Sequence, residues 1–224
     1  MDTSDSSHDH HHATGDYESE FGQAAWEARY NAVEGGIWSG NPNLVLVTET
    51  ARLEPGSALD VGCGEGADAL WLAERGWQVT GTDISTVALE RAAKQGQLRG
   101  LDVAWQHVDL LADPPKPGSY DLVSAHFMQL PPDKRRALYA RLGDAVVAGG
   151  TLLIVGHHPE DMLAVMGRTH LLDMMFTAEE LAAELDPKTW EVLLVDARPR
   201  EATHPEGHQV TIRDTVLVAR KRSG

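Results

Sequence analysis

Leu59-Asp60-Val61-Gly62-Cys63-Gly64-Glu65-Gly66 carries the strongest fold signal in this chain. It begins as a short apolar strand, predicted over residues 58–61, and runs into three glycines that alternate with other residues. Glycine adopts the left-handed backbone conformations that a tight turn needs, and it lets a ligand approach the main chain closely. A helix is predicted directly after the turn, over 67–75, with Gly76 at its end. This order predicts a strand–turn–helix unit with a binding loop at its junction.

The alternation of strands and helices continues along the rest of the chain. Further strands are predicted over residues 77–82, 103–108, 120–125, 151–156, 190–197 and 209–220. Helices are predicted after the N-cap Ser85, after Pro132, and after the capping box Thr177-Ala178-Glu179-Glu180. Strands joined by helices in this way predict an α/β fold, a doubly wound sheet of seven mostly parallel strands with helices on both faces. The last segment alternates apolar and polar residues, which predicts a half-exposed antiparallel strand.

The first 54 residues lie outside this alternation. Residues 1–20 carry six acidic residues, four histidines and no lysine or arginine, which predicts a disordered His/Asp-rich tail. Residues 21–54 are predicted to form a helical lid, broken at the turn-rich Trp38-Ser39-Gly40-Asn41-Pro42-Asn43. The chain from 21 to 224 is therefore expected to be a single domain. The histidines between His8 and His12 are left open as a metal-binding run, a solvated tail or an expression remnant, and no metal site is predicted.

Composition narrows the classes of partner. The formal net charge is −15, from 34 acidic and 19 basic residues, and such a chain repels nucleic-acid backbones and anionic lipid. No apolar run approaches the ~20 residues that span a bilayer, and the N-terminal residues do not resemble a signal peptide. The single cysteine, Cys63, suits a reducing compartment. We therefore expect a cytoplasmic protein that acts on a small molecule, with no nucleic-acid or membrane partner.

The spacing of the glycine loop admits two kinds of ligand. Gly62-x-Gly64-x-x-Ala67 also fits a dinucleotide fingerprint, and Asp83 lies 21 residues after Gly62, where a ribose-binding acid belongs. A dinucleotide, however, places its pyrophosphate against this turn and the helix that follows. Asp60 and Glu65 would repel a pyrophosphate, whereas Asp60 would attract a ligand with positive charges. The charges therefore favour a cationic ligand over NAD.

The loop resembles the first motif of class I S-adenosylmethionine-dependent methyltransferases, which have a Rossmann-like fold. Val79-Thr80-Gly81-Thr82-Asp83-Ile84-Ser85 resembles their second motif, whose acid holds both ribose hydroxyls, and Gln106-His107-Val108-Asp109-Leu110 resembles the third. The resemblance implies that Asp109 accepts from the adenine amino group and that Leu110 donates its backbone N–H. Tyr120-Asp121-Leu122-Val123-Ser124-Ala125-His126 resembles the fourth strand, and Gly149-Gly150-Thr151-Leu152 the turn before the fifth. The predicted cofactor-binding residues are Trp38, Asp60, Gly62, Cys63, Gly64, Asp83, Ile84, Asp109, Leu110 and His126.

Two histidines at predicted strand ends are the candidates for catalysis. His126 ends the fourth strand and His157 follows the fifth, and a histidine there can take a proton from the acceptor near neutral pH. The alternative is a polar cap on a strand end. Trp38 is predicted to cover the sulfonium of the cofactor with its aromatic face. Residues 159–176 are predicted either to line the acceptor pocket through Met162, Met166, Leu171 and Met174 or to form a buried helix.

These features predict methyl transfer from S-adenosylmethionine to a sulfur, nitrogen or oxygen atom of a small molecule. The segment from Trp26 to Asn43 also resembles the N-terminal part of small thiopurine and tellurite-resistance-like methyltransferases, which implies small thiol, chalcogen or heteroatom-bearing acceptors. Two alternatives stay open. One is a regulator that binds S-adenosylmethionine or a metabolite without turnover, and the other is an NAD-dependent oxidoreductase.

Overall fold

A seven-stranded sheet with the order β3-β2-β1-β4-β5-β7-β6 organises the part of the chain that the computed structural model describes, residues 14–167 and 169–223. The strands are β1 (Ser57–Val61), β2 (Gln78–Asp83), β3 (Val103–His107), β4 (Tyr120–His126), β5 (Val146–His157), β6 (Trp190–Thr203) and β7 (Gln209–Lys221). The helices are α1 (Thr14–Phe21), α2 (Gln23–Asn31), α3 (Leu44–Thr50), α4 (Ala67–Ala73), α5 (Thr86–Arg99), α6 (Pro132–Ala145), α7 (Pro159–Ala164) and α8 (Ala178–Ala183), with a 3₁₀ helix at Thr169–Met174. No described helix is both long enough and apolar enough to cross a bilayer.

The direction of the strands confirms the predicted fold class. Strands β1 to β5 pair in parallel, whereas β7 runs antiparallel to both β5 and β6. Strand order reverses between β1 and β4, and ligands of such sheets bind beyond the carboxyl ends of the strands at this switch point. The glycine loop leaves β1 at that place.

Strand β5, in the middle of the sheet, is buried on both of its faces. Leu152 and Ile154 pack into one hydrophobic cluster, and Leu153 and Val155 pack into the cluster on the opposite face. Alternate residues of a strand point to opposite faces, so a continuous apolar run belongs to a strand that is covered by helices on both sides.

Two boundaries differ from the sequence prediction. The tail predicted over residues 1–20 is wrong from Thr14 onward, because α1 forms there and buries the rings of Tyr17 and Phe21 in the core. Residues 1–13, with the histidine run, lie outside the described residues. Strand β5 begins at Val146 instead of 151, since Gly149 and Gly150 are incorporated into the strand beside an irregularity in its pairing with β4.

Candidate functional site

A cavity of about 940 Å³ opens at the carboxyl ends of the parallel strands, where the glycine loop leaves β1. Helices α1 to α3 and the loop between α2 and α3 form its outer wall. This volume lies within the ~300–1,000 Å³ that is usual for small-molecule sites. The predicted site residues that line it are Trp38, Gly62, Cys63, Gly64, Asp83, Ile84, Asp109, Leu110, His126 and His157.

Two positions of the loop require glycine. Gly62 and Gly64 have φ values of +65° and +53°, which side-chain-bearing residues rarely adopt. A Cβ atom at Gly62 would lie 2.7 Å from the sulfur of Met128, and one at Gly64 would lie 3.0 Å from the hydroxyl of Tyr30. The main chain of the loop is therefore in close contact with the opposite wall of the cavity.

Asp83 joins the end of β2 to the glycine loop. Its Oδ2 accepts the Gly64 N–H at 2.8 Å, and its Oδ1 accepts the Ser85 N–H at 2.8 Å. Burial raises the pKa of Asp83, and these backbone N–H groups oppose that rise. Because each carboxylate oxygen has two acceptor positions, Asp83 keeps room for donors from a ligand.

Glu65 anchors the segment between α2 and α3 to the glycine loop. The Glu65 carboxylate accepts the backbone N–H groups of Ile37 and Trp38 at 3.1 and 3.2 Å, and it pairs with Arg91 at 2.8 Å. The indole N–H of Trp38 donates to the Tyr30 hydroxyl at 2.9 Å. The charge of Glu65 therefore has a partner in Arg91, whereas the sequence had indicated only an acid in the loop.

On the other side of the cavity, His126 is held by an acid that the sequence analysis missed. His126 Nδ1 lies 2.7 Å from Asp68 Oδ2, and Asp68 Oδ1 accepts the Asn43 N–H at 2.6 Å. His126 Nε2 is buried and has no hydrogen-bond partner among the described residues. Asp68 stands in the first turn of α4, and nothing in the sequence distinguishes it from an ordinary helix-start acid.

A second polar group lies near His126, at the ends of β5 and β7. Asp214 Oδ2 accepts from Arg200 Nε at 2.7 Å, and Asp214 Oδ1 lies 3.9 Å from His157 Nδ1. Burial raises the pKa of Asp214, and the charge of Arg200 opposes that rise. Phe127 packs on His157 with ring centroids 4.7 Å apart, and its φ of +53° is a strained conformation of the kind found at functional sites.

Comparisons with known proteins agree with this architecture. Residues 58–150 match the family model described as a methyltransferase domain. Over these residues the chain is therefore similar to methyltransferase domains. An uncharacterized methyltransferase of Mycobacterium tuberculosis is 37% identical over 120 residues, which cover 53% of this chain and 59% of the relative. A ubiquinone biosynthesis O-methyltransferase of Marinobacter nauticus is 29% identical over 143 residues, covering 60% of each. The chain thus spans less than two thirds of the length of these curated relatives.

Solved structures share the fold over most of the chain. TehB from Haemophilus influenzae superimposes with a TM-score of 0.69 at 21% identity, covering 89% of this chain and 67% of that one. Magnesium protoporphyrin IX methyltransferase from Synechocystis, with bound S-adenosylhomocysteine, gives a TM-score of 0.63 at 19% identity and covers 93% and 97%. At these identities the likeness establishes the fold alone.

Asp60, at the end of β1, is not among the residues that line the cavity. It is 2% exposed, and its Oδ2 has no hydrogen-bond partner among the described residues. Burial raises the pKa of Asp60 well above its usual range, the charge of Asp68 adds to this, and the Ala69 N–H and Ser124 hydroxyl oppose it. A buried carboxylate oxygen without a partner is costly, and a cation or donor nearby stabilises it. A cationic ligand in the adjoining cavity would be such a group.

The remaining predicted residues fall into two groups. Asp109 is exposed directly after β3, and its Oδ1 accepts the Leu111 N–H at 2.9 Å, while Leu110 beside it is 8% exposed. Four residues of the 159–176 segment were candidates for lining the acceptor pocket. They pack into or against the hydrophobic core instead: Met162, Met166, Leu171 and Met174. Of the two alternatives for that segment, core packing is therefore the observed one, although a short helix and a 3₁₀ helix replace a single helix.

Proposed function

We propose that this protein transfers a methyl group from S-adenosylmethionine to a heteroatom of a small molecule. The observation that carries the proposal is the common cavity. The glycine loop with Asp83 lines one side of it, and His126, with its unpartnered Nε2, lines the other. A group that can interact with an acceptor is thereby placed in the same enclosed space as the cofactor loop.

The proposed cofactor-binding roles are those that the motif resemblance implies. Asp83 would hold the ribose hydroxyls, and Asp109 with the N–H of Leu110 would hold the adenine. The loop from Gly62 to Gly64, including Cys63, would lie along the cofactor with Ile84 beside it, and Trp38 would cover it from the outer wall. Asp60 would interact with the ammonium group.

When bound, the cofactor supplies a methyl group that its positive sulfur already activates. The protein's task is then mainly orientation of the acceptor, which can contribute ~7–11 kcal/mol to lowering a barrier. His126 and His157 are proposed to contact the acceptor. The residues near them that line the cavity include the apolar Leu44, Val45, Phe127 and Met128, which suit an apolar small molecule.

The proposed acceptor is a small molecule in spite of one relative that acts on RNA. A ribosomal RNA small subunit methyltransferase of Alcanivorax borkumensis is 32% identical over 129 residues. The net charge of −15 opposes binding to a phosphate backbone, and relatives such as the ubiquinone biosynthesis O-methyltransferase favour a small acceptor. We also propose that residues 21–224 form one domain with 21–54 as its lid, and that the protein is cytoplasmic.

Thermal stability with two ligands tests the proposal. S-adenosylhomocysteine at 100 times its Kd is expected to stabilise the protein by ~2.7 kcal/mol, and NAD is expected to have no effect. Stabilisation by NAD alone would instead support an oxidoreductase.

An acceptor panel then tests for catalysis. Mass spectrometry should detect a methylated product from at least one thiol, phenol or imidazole when S-adenosylmethionine is present. Binding of the cofactor with no transfer to any member would favour a regulator that binds without turnover.

A further inference from the structure

The pair formed by Asp68 and His126 is built from three separate elements. Asp68 lies in the first turn of α4, His126 ends β4, and Asn43, which donates its backbone N–H to Asp68, is the N-cap of α3. Each oxygen of the Asp68 carboxylate therefore has one partner, at 2.6 and 2.7 Å. The backbone contact holds the carboxylate in place while its other oxygen faces the imidazole.

This geometry determines which nitrogen of His126 carries the proton. A carboxylate only accepts hydrogen bonds, so His126 Nδ1 must be the donor to Asp68. In the neutral imidazole, Nε2 then has a free lone pair. Because Nε2 is buried and unpartnered among the described residues, the site lacks one hydrogen-bond donor, and a ligand that brings a donor would complete it.

Charged groups surround the pair from several strands. Asp60 on β1 interacts electrostatically with Asp68, and Asp214 on β7 with His126. Arg200 on β6 and His157 on β5 both face Asp214. Acidic groups thus outnumber the basic groups around His126, and an imidazolium formed there would be stabilised by the Asp68 carboxylate.

We propose that Asp68 is a positioning residue that makes His126 a general base, and that the methyl acceptor is therefore a hydroxyl group that is still protonated when it binds. This inference rests on the proposed function and favours oxygen over sulfur as the acceptor atom. A phenolic or enolic O–H is a strong donor for Nε2, whereas S–H is a weak one. A thiol that ionises near neutral pH also needs little help from a base.

The proposed methyl transfer is a simple displacement reaction. The hydroxyl proton moves to His126 Nε2, and an electron pair of the oxygen forms the new O–CH₃ bond. The bond between the methyl carbon and the sulfur breaks, and the sulfur keeps its electron pair. The imidazolium, held by Asp68, later releases its proton to solvent.

The first test needs no acceptor. ¹⁵N NMR of the His126 ring in the full-length protein should show the tautomer with the proton on Nδ1, and Asp68→Asn should abolish this preference. Asp133→Asn is the matched control, because Asp133 occupies the corresponding second position of α6 and is exposed. A proton on Nε2 at neutral pH, a doubly protonated ring from pH 6 to 8, or an unchanged tautomer in Asp68→Asn would overturn the positioning role.

The second test concerns the acceptor class. With S-adenosylhomocysteine bound, phenol, catechol or a hydroxyquinoline should shift the Nε2 resonance, and thiophenol should not. Against a hydroxyl substrate, Asp68→Asn should lower kcat about 10²–10³-fold. A shift with thiophenol alone, or with none of the hydroxyl probes, would overturn the hydroxyl assignment. Failure to bind S-adenosylhomocysteine would instead contradict the proposed function. The tautomer of His126 is measured without any ligand, so that result does not depend on cofactor binding.

Discussion

The two halves of the cavity are built in different ways. At the ends of β2 and β3, the carboxylates accept backbone N–H groups, Asp83 from Gly64 and Ser85 and Asp109 from Leu111. Around the ends of β4 and β5, polar side chains meet other side chains, and among the described residues His126 Nε2 and Asp214 Oδ1 have no hydrogen-bond partner.

This difference indicates that the two halves bind different ligands. Loops held by local backbone hydrogen bonds are formed before any ligand arrives, which suits a constant ligand such as the cofactor. Buried polar atoms without partners are costly, and natural proteins keep few of them outside functional sites. We assign the β4–β5–β7 half to the acceptor, because His126 Nε2 and Asp214 Oδ1 lie there and the motif resemblance places no ribose or adenine contact in it.

Removing both histidines of the acceptor half should have the largest effect. The variant His126→Ala/His157→Ala is expected to lower kcat/KM about 10²–10³-fold, the usual range for loss of acid–base assistance. Isothermal titration calorimetry with S-adenosylhomocysteine shows whether His126 also contributes to cofactor binding. His204→Ala/His208→Ala, at the hairpin tip between β6 and β7, is the control. An unchanged kcat/KM in the first variant would mean that these histidines only line the cavity.

The next largest effect is expected in the cofactor half, at Asp83. Asp83→Asn replaces one acceptor oxygen with an NH₂ group that faces a backbone donor. We expect a loss of about 2.7 kcal/mol, or ~100-fold in affinity for S-adenosylhomocysteine, measured by calorimetry. The exposed Asp102→Asn should bind like the wild type. If Asp83→Asn bound as tightly, Asp83 would have only a structural role in the loop.

Weakening the contacts that hold the segment between α2 and α3 over the cavity should have a moderate effect on cofactor release. Glu65→Gln weakens the partly buried contact with Arg91 and the bonds to Ile37 and Trp38. We expect about tenfold faster release of S-adenosylhomocysteine, a cost of ~1.4 kcal/mol, followed by stopped-flow tryptophan fluorescence. Glu74→Gln removes an exposed acid paired with Arg99 and should leave the rate unchanged. Equal rates in both variants would show that the wall does not retain the ligand.

The smallest effect concerns stability and pH at Asp60. Its pKa is raised in the folded state, so its favourable contribution is present at low pH and is lost as the pH rises through the folded value. Asp60→Asn imitates the protonated group, so without ligand it should match the wild type near pH 4. It should gain about 2–4 °C in Tm near pH 8, or ~1 kcal/mol. Scanning calorimetry at both pH values measures this, with the exposed Asp113→Asn as control. A Tm gain that is the same at both pH values would contradict the assigned cause.

The fold can be predicted from the sequence because the signals that specify it are local. The alternation of strands and helices, the spacing of Gly62 and Gly64, and Asp83 at the end of the second strand each depend on neighbours along the chain. The errors have the same origin. Residues 14–20 look polar in isolation, whereas in the folded protein α1 packs Tyr17 against the core.

What the sequence alone determined is therefore the doubly wound sheet and its glycine loop, since periodicity and turn chemistry act over a few residues. Tertiary structure decided the rest of the site. It brings Asp68 to His126 across 58 residues, and Arg200 to Asp214 across the β6–β7 hairpin. It also gives Glu65 a partner in Arg91. Such pairs depend on which distant elements pack together, and no local pattern in the sequence predicts that packing.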